Sequence, residues 1–455
     1  MSQKSIVNIG NIRLGGTLPV VVQTMTNTAT TDIEGTIEQT IRVIEKGAEM
    51  VRITVPTLKE IDSLKEIVTL LREKGYKTPI IADVHYLPEV AESVATFVDK
   101  VRINPGNFVD KREFKSIDLT DEEYNESVAK MALKAKSLIE VCKKHNTAIR
   151  IGVNQGSLCD RIVSRYGNTP LAMVQSALEW VQICQQYDFH NIVFSLKSSN
   201  VNTMLEATSL LAQKMDEQGT RYPLHLGVTE AADGMEGRVK SAVGIGALLL
   251  HQIGNTIRVS LTEDPENEVV FAHKLLKVIA KFDSQKYSIQ DQKLVIHSDE
   301  TDLETFWAEA SSIAGHFHLN RQFNNLQIIN PHFTSEQCLE LEDTILQGCR
   351  IKVTKTEIIA CPSCGRTQYD IQKVLGMVKE KFNHYPNLKI GVMGCVVNGP
   401  GEMADADIGI IGSANGKMAV YKGTQRISPF LPYKEAFEIL EQQIQSIITF
   451  KKQIR

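Results

Sequence analysis

The sequence predicts an α/β fold: a parallel (β/α)8 TIM barrel followed by a small α+β domain. Three observations predict it. Over the first two thirds of the 455 residues, eight short β-branched runs alternate with helical patterns. Inside those runs, polar residues alternate with Val, Ile and Leu at period two, so each strand has one polar face. After residue 282 the alternation stops, and near residue 356 a cysteine-bearing tail with its own strand and helix pattern begins.

The eight runs are Val20–Met25, Met50–Val55, Pro79–His85, Lys100–Asn104, Ala148–Asn154, Asn191–Lys197, Pro223–Glu230 and Thr256–Thr262. Helical patterns separate them, among them Thr57–Lys74, Asn125–His145, Thr203–Glu217 and, after the last run, Asn267–Lys281. An open doubly wound sheet is the alternative, but no GxGxxG turn follows the first run. Residues 1–282 therefore form the expected barrel domain, 283–355 a short middle segment, and 356–455 the tail domain. The middle segment reads as strands Leu294–His297, Leu326–Ile329 and Arg350–Val353 around helices Asp302–Ala314 and Ser335–Leu346. His316-Phe317-His318 has the spacing of metal ligands on a strand, but no accompanying motif lifts it above packing histidines. In the tail, Ile358–Ala360, Leu388–Met393, Ile408–Ile411 and Met418–Lys422 read as strands, and Tyr369–Phe382 and Lys434–Phe450 as helices.

The polar faces carry the chemistry. Arg52 shares a face with Thr54, Asp83 with His85, Arg102 with Asn104, and Arg150 with Gly152 and Asn154. Ser195 goes with Lys197, His225 with Gly227 and Thr229, and Arg258 with Ser260 and Thr262. Pointed into a barrel near the C-terminal strand ends, these residues line the place where barrel enzymes work. For any single arginine, a solvated head or a surface ion pair is the simpler reading. Five cations from five strands with one inward phase (Arg52, Arg102, Arg150, Lys197 and Arg258) are different. They repel one another unless an anion joins them, and the acids of matching position are few, chiefly Asp83 with Glu230 adjacent. A small polyanion, most simply a diphosphate, is the expected ligand. The glycine-rich strings 234–238 and 243–247 read as loop and helix-packing glycines.

Composition narrows the classes. Apolar residues make up 42% and charged residues 23%, and the formal net charge is -4, so nothing pulls the chain toward nucleic acid or an anionic membrane. The N-terminus has no apolar signal core, and the most apolar stretch, 243–250, is too short to span a bilayer. A cytoplasmic protein is expected. Of the 8 cysteines, Cys142, Cys159, Cys184, Cys338 and Cys349 stand alone and read as buried apolar residues.

Cys361-Pro362-Ser363-Cys364 and Cys395 are spaced as a metal site, with Glu402 seven residues past Cys395 across the turn-forming string Asn398-Gly399-Pro400-Gly401. Spacing leaves zinc open, although Cys395 lacks the second close cysteine of a zinc ribbon. A carboxylate on a thiolate site is a hard ligand on a soft centre, and so exchangeable. A zinc-bearing barrel aldolase or pterin-type transferase, and a non-catalytic iron–sulfur carrier, are the competing readings.

The strings Cys-Pro-Ser-Cys-Gly-Arg (361–366) and Gly-Cys-Val-Val-Asn-Gly-Pro-Gly-Glu (394–402) resemble those of the 4-hydroxy-3-methylbut-2-enyl diphosphate synthase family. So do the barrel strings at 22–28, 81–86, 101–107, 226–231 and 257–262. The resemblance covers residues 1–282 and 356–455. It implies reductive ring opening and dehydroxylation of 2-C-methyl-D-erythritol 2,4-cyclodiphosphate in the non-mevalonate isoprenoid pathway. It implies a [4Fe–4S] cluster on Cys361, Cys364, Cys395 and Glu402, and electrons from reduced ferredoxin or flavodoxin. It also implies a diphosphate cradle of Arg52, Arg102, Arg150, Asn154, Lys197, Arg258 and Ser260, to which Asn104 and Thr229 are added by phase. Glu230, at a strand end, is the expected proton donor, with Asp83 and His85 as second candidates. Phe108–Thr120 enlarges one connection as in the larger, three-domain branch of the family, yet the middle segment is short for that branch. Two-domain relatives are capped by a partner subunit, so a homodimer is expected, and whether the tail caps its own barrel is left open.

Overall fold

The computed structural model describes residues 3–453 apart from 111, 368, 397, 398, 414 and 415. The barrel strands are Val21–Met25, Met50–Thr54, Ile80–His85, Lys100–Ile103, Ala148–Asn154, Ile192–Lys197, His225–Leu226 and Thr256–Ile257. They pair in parallel in chain order, with the eighth strand beside the first. The ring closes between the sixth and seventh strands, where Phe194 bridges Leu224 and the Phe194 amide donates to the Pro223 carbonyl at 3.0 Å. The seventh and eighth strands are shorter than their runs suggest. Past Leu226 and Ile257 the ladder gives way to local bonds, Thr229 N to Ser198 O at 3.3 Å and Thr262 N to Ala232 O at 2.9 Å.

An N-terminal hairpin, Ile6–Ile9 with Ile12–Gly15, is not anticipated by the strand–helix alternation. Its Val7, Ile9 and Leu14 pack against Val21, Met50, Ile81, Ala148 and Val193 as a separate buried cluster. Those five barrel residues have the inward phase, so the hairpin and they form an apolar floor. The polar mouth is thereby the open end of a plugged tube. The enlarged connection after the fourth strand is held by one buried carboxylate. Asp160 accepts from Arg112 Nη1 at 2.7 Å and from the amides of Glu113, Phe114 and Lys115 at 2.9, 3.1 and 3.1 Å. A capping box of Thr120 and Glu123 then starts the helix Asp121–His145.

The middle segment is a three-stranded sheet, Tyr287–Gln290, Lys293–His297 and Asn325–Ile329, with helices Leu303–Leu319 and Ser335–Gly348. Two expectations change here. Arg350–Val353 is not a strand. Arg350 is left-handed (φ 56) and turns its guanidinium to Glu357 at 2.8 Å and to Asp405. The first helix runs on to Leu319, so His316 and His318 are helical and two residues apart, on different faces. His316 stacks on His251 with centroids 4.6 Å apart, and His318 Nε2 meets Asn202 Oδ1 at 2.5 Å. They are packing histidines.

Helix Leu303–Leu319 lies directly on the barrel helix Gly234–Leu250. A Cβ on Gly315 would sit 2.3 Å from the Val243 carbonyl, so glycine is required for this approach, and Gly246 faces Ser312 in the same way. The helix glycines of residues 243–247 are therefore packing glycines. The tail lobe is a sheet of parallel strands Glu357–Ala360, Lys389–Met393 and Ile408–Ser413, extended by antiparallel Lys417–Lys422. Helices Ile371–Phe382 and Tyr433–Gln453 complete it. Among the described residues, no helix is long and apolar enough to cross a membrane.

Candidate active site

The lobe caps the barrel of its own chain. Ala360 bridges Ala231, Thr262 Oγ1 donates to the Cys361 carbonyl at 3.2 Å, and Arg366 Nη2 reaches Asp83 Oδ2 at 3.3 Å. At another point of the seam, Gly156 and Gly401 meet backbone to backbone. A Cβ on Gly401 would fall 1.9 Å from the Gly156 carbonyl oxygen. The mouth thus faces the cysteines without help from a second subunit.

All five predicted cations are buried in the barrel. Two have carboxylate partners. Arg102 pairs with Asp83 at 3.1 Å and donates to the Gly152 carbonyl at 3.0 Å. Arg258 grips Glu268 through Nε and Nη2, both at 2.9 Å. Glu268 escaped the strand-phase argument because it comes from the eighth helix, in its first turn two residues after Glu266. It also accepts from Thr24 Oγ1 at 2.9 Å and the Leu261 amide at 3.0 Å. Arg52 meets only a soft acceptor, Met25 Sδ, at 3.0 and 2.8 Å from Nε and Nη2. Burial, partly offset by Asp83 and reinforced by Arg258 and Arg102, brings its pKa down to about 9. Arg150 has Nε and Nη1 without partners. Burial and the neighbouring Arg52 and Arg150 weigh against the charge of Lys197. Among the described residues Arg52, Arg150 and Lys197 have no carboxylate in an ion pair with them, a deficit that a polyanion would fill.

Around this ring the other predicted residues divide. Burial would raise the Asp83 carboxyl, but Arg102, Arg52 and Arg366 hold it well below the ordinary range. An ionised Asp83 is no proton donor. His85 is left-handed (φ 75), fully buried, and has both ring nitrogens unpartnered. Burial, then Arg102 and Arg366, keep it neutral. Ser260 and Thr229 are buried at the mouth. Asn104 is committed elsewhere: its Nδ2 donates to Ser157 Oγ at 2.7 Å, and its Oδ1 caps the Gly106 amide at 3.3 Å. Asn154 donates to Glu402.

Glu230 lies at the seam. Strict alternation would turn it away from the mouth. Its left-handed backbone (φ 52) supplies the twist that brings it inward. It hydrogen-bonds Glu402 of the lobe, and each carboxyl keeps one oxygen without a partner. Burial raises both groups, and the Glu230 charge adds to the rise at Glu402. Two buried carboxyls in contact hold one proton between them.

Cys361 follows the strand Glu357–Ala360, Cys364 lies three residues on, and Cys395 follows the strand Lys389–Met393. Val397 and Asn398 of the expected turn lie outside the described residues, and Glu402 ends the helical turn Gly399–Glu402. The three thiols lie near enough to interact electrostatically: burial first, then Cys364, Glu230 and Cys395, raise Cys361. Among the described residues no group of three or more potential ligands converges as on a single metal ion. The donor set is three thiols and one buried carboxyl with an unpartnered oxygen, and it suits a thiolate-rich cluster with one exchangeable position. Arg366, beside Cys364 and Cys395, offers charge to thiolates there, and the motif-based reading gave it no task.

A family model described as the GcpE TIM-barrel domain matches residues 4–273, and one described as the GcpE protein C-terminal domain matches residues 357–446. The 4-hydroxy-3-methylbut-2-en-1-yl diphosphate synthase (flavodoxin) of Phocaeicola vulgatus is 34% identical over an alignment of 600 positions, covering 98% of this chain and 97% of that one. The protein of the same name from Protochlamydia amoebophila is 34% identical over 615 positions, covering 95% and 94%. That from Chlamydia muridarum is 34% identical over 573, covering 96% and 95%. Alignments longer than the 455 residues here mean that stretches of the relatives have no counterpart in this chain. Residues 274–356, which include the middle segment, fall between the two matched family models.

Proposed function

The chain belongs to the 4-hydroxy-3-methylbut-2-en-1-yl diphosphate synthase family, and on that premise we propose how its residues divide the work. The enzyme opens the ring of 2-C-methyl-D-erythritol 2,4-cyclodiphosphate reductively and expels a hydroxyl, giving 4-hydroxy-3-methylbut-2-enyl diphosphate in the non-mevalonate route to isoprenoids. The observation that supports the division is the burial of Arg52, Arg150 and Lys197, without carboxylate partners, under a thiol-bearing lobe. In this reading the cyclic diphosphate cancels that charge. Arg102 and Arg258, held by Asp83 and Glu268, act as fixed walls that orient it, with Ser260, Thr229 and Asn154 completing the cradle. Asn104 holds the rim loop.

Cys361, Cys364, Cys395 and Glu402 would hold a [4Fe–4S] cluster, which supplies single electrons and Lewis acidity for C–O cleavage. Ligation would require an ionised Glu402, so the proton that the unligated pair holds on Glu402 would pass to Glu230. Glu230 is thereby poised to protonate the departing hydroxyl. The closed seam excludes water. Electrons come one at a time from reduced flavodoxin or ferredoxin, in the cytoplasm. A homodimer, the expected assembly, would pair complete sites, since each chain caps its own barrel.

Anaerobically purified protein tests the reading. It should be brown, with about four irons and four sulfides per chain, and should convert the cyclic diphosphate with an artificial reductant. Colourless protein with a single zinc would overturn it, and brown protein that does not bind the cyclic diphosphate would leave only an electron carrier.

A further inference from the structure

Beneath the cation ring, Lys100 stands where the barrel should be dry. It occupies the inward phase of the fourth strand, two residues before Arg102, and is 0% exposed. Its register partners on either side are Ile81 and Ala148, both members of the apolar floor. Its Nζ touches Gln23 Oε1 at 3.3 Å and Met50 Sδ at 3.5 Å, neither of them an anion. The neighbouring Asp99 turns its carboxylate to Arg72 at 2.9 Å and to the Ile80 amide at 2.8 Å. From the other elements, Arg52, Arg150 and His225 face this layer, and Val7, Ile9, Leu14 and Val193 close it from below. Gln23 Nε2 and two Arg150 nitrogens are donors without a partner, so the layer is rich in donors and poor in acceptors.

An amine in such a layer is the group that gives way. Arginine keeps its proton near neutral pH, as Arg52 does even with its pKa brought down to about 9. Burial first, then Arg150 and Arg52, lower the proton affinity of Lys100 well below that of an ordinary lysine, with Asp99 opposing only weakly. Two phosphates settling on Arg52 and Arg150 reverse the sign of the field that Lys100 feels.

We propose that Lys100 couples substrate binding to proton uptake: uncharged in the free barrel, it takes one proton from solvent as the diphosphate docks above it, and the resulting ammonium strengthens the hold. This rests on the assignment of the mouth to a cyclic diphosphate. Lys100 is a positioning residue, since it acts through the field beneath Arg52 and Arg150. The sign follows from linkage: binding that takes up protons tightens as pH falls.

The test is anaerobic titration calorimetry of the holoenzyme with the cyclic diphosphate, in two buffers of different ionisation enthalpy. Wild type should take up about one proton more per site than Lys100→Met. The variant should bind roughly tenfold more weakly near neutral pH, with the gap closing at higher pH. In turnover the loss should appear in KM with kcat unchanged. Lys100→Gln, which keeps an amide against Gln23, replaces Lys100→Met if the latter loses its cluster. Equal proton uptake by wild type and variant, with binding intact, overturns the role of Lys100 alone. Wild type that fails to bind the cyclic diphosphate overturns the assignment of the mouth, and this inference with it.

Discussion

The middle segment and the tail lobe both follow the barrel in the chain, yet they are attached by different physics. The apolar residues of the middle segment, from Leu294 to Cys349, belong to the same buried cluster as the barrel helices. The lobe keeps two cores of its own, around Ile358, Leu375 and Phe437 and around Ile359, Met393 and Met403. It meets the barrel largely through polar contacts: Arg366 with Asp83, Lys379 with Asp233 and Glu236, and Thr262 with the Cys361 carbonyl. An apolar seam resists separation because water cannot replace its contacts, whereas polar groups can exchange partners with solvent. The comparison teaches which piece is built to move. With Arg52, Arg102, Arg150 and Glu230 buried under the lobe, entry of a substrate would require the lobe to lift.

The sharpest way to break this comparison is at the lobe's thiols. Cys395→Ser should abolish cluster content and turnover together while leaving the barrel folded, because the lobe and the barrel have separate cores. Iron and sulfide assay with circular dichroism checks it; a variant that retains four irons and activity refutes the ligand assignment. One step down in effect, Glu230→Gln removes the proton but keeps the shape. Turnover should fall by about 10² to 10⁴, with cluster absorbance and substrate binding retained. Unchanged turnover would eliminate Glu230 as the donor.

What could be read in the sequence follows the same division. Period-two alternation identified the inward face wherever the strand is regular, as at Arg52, Arg102 and Arg150, and it extends to Lys100. It fails where the backbone leaves the strand. Glu230 is out of phase by alternation and reaches the site only through a positive φ, and His85 sits past a register shift in its pairing with the fourth strand. It fails also for Glu268, which arrives from a helix and cancels Arg258. Asn104 has the inward phase, and its partners are local, because an asparagine before Pro105-Gly106 is drawn to cap the turn that follows. The hairpin that plugs the floor lies outside the strand–helix repeat, and no local pattern assigns it to the barrel. Docking of the lobe onto its own barrel depends on contacts between residues far apart in sequence, such as Gly156 with Gly401, which spacing does not encode.

The fused seam gives a smaller, purely structural effect. Gly315→Val drives a side chain into the Val243 carbonyl, which lies 2.3 Å from an added Cβ. Overpacking of this kind should cost about 1–3 kcal/mol in urea unfolding. Cluster content and kcat, measured well below the unfolding midpoint, should stay at wild-type values because the helix pair is remote from the mouth. A change in kcat without a change in stability would mean that the middle segment takes part in closure, and the distinction between fused and docked pieces would fail.

The smallest effect tests the docked seam itself. Lys379 pairs with Asp233 and lies 3.7 Å from Glu236, all three partly exposed, so Lys379→Met should change global stability by only about 0.5 kcal/mol. Closure is more sensitive than stability, because the lobe leaves and returns as a unit while its own cores persist. Salt separates the two contributions. Substrate steering by the mouth is screened equally in wild type and variant, since Arg52, Arg150 and Lys197 are unchanged in both. The latch is screened only in wild type. KM should therefore rise with ionic strength in both proteins but more steeply in wild type, and the two curves should converge at high salt. Parallel curves would show that the Lys379 pairs contribute nothing to closure, and that Gly156, Gly401 and the Arg366–Asp83 pair hold the lobe instead.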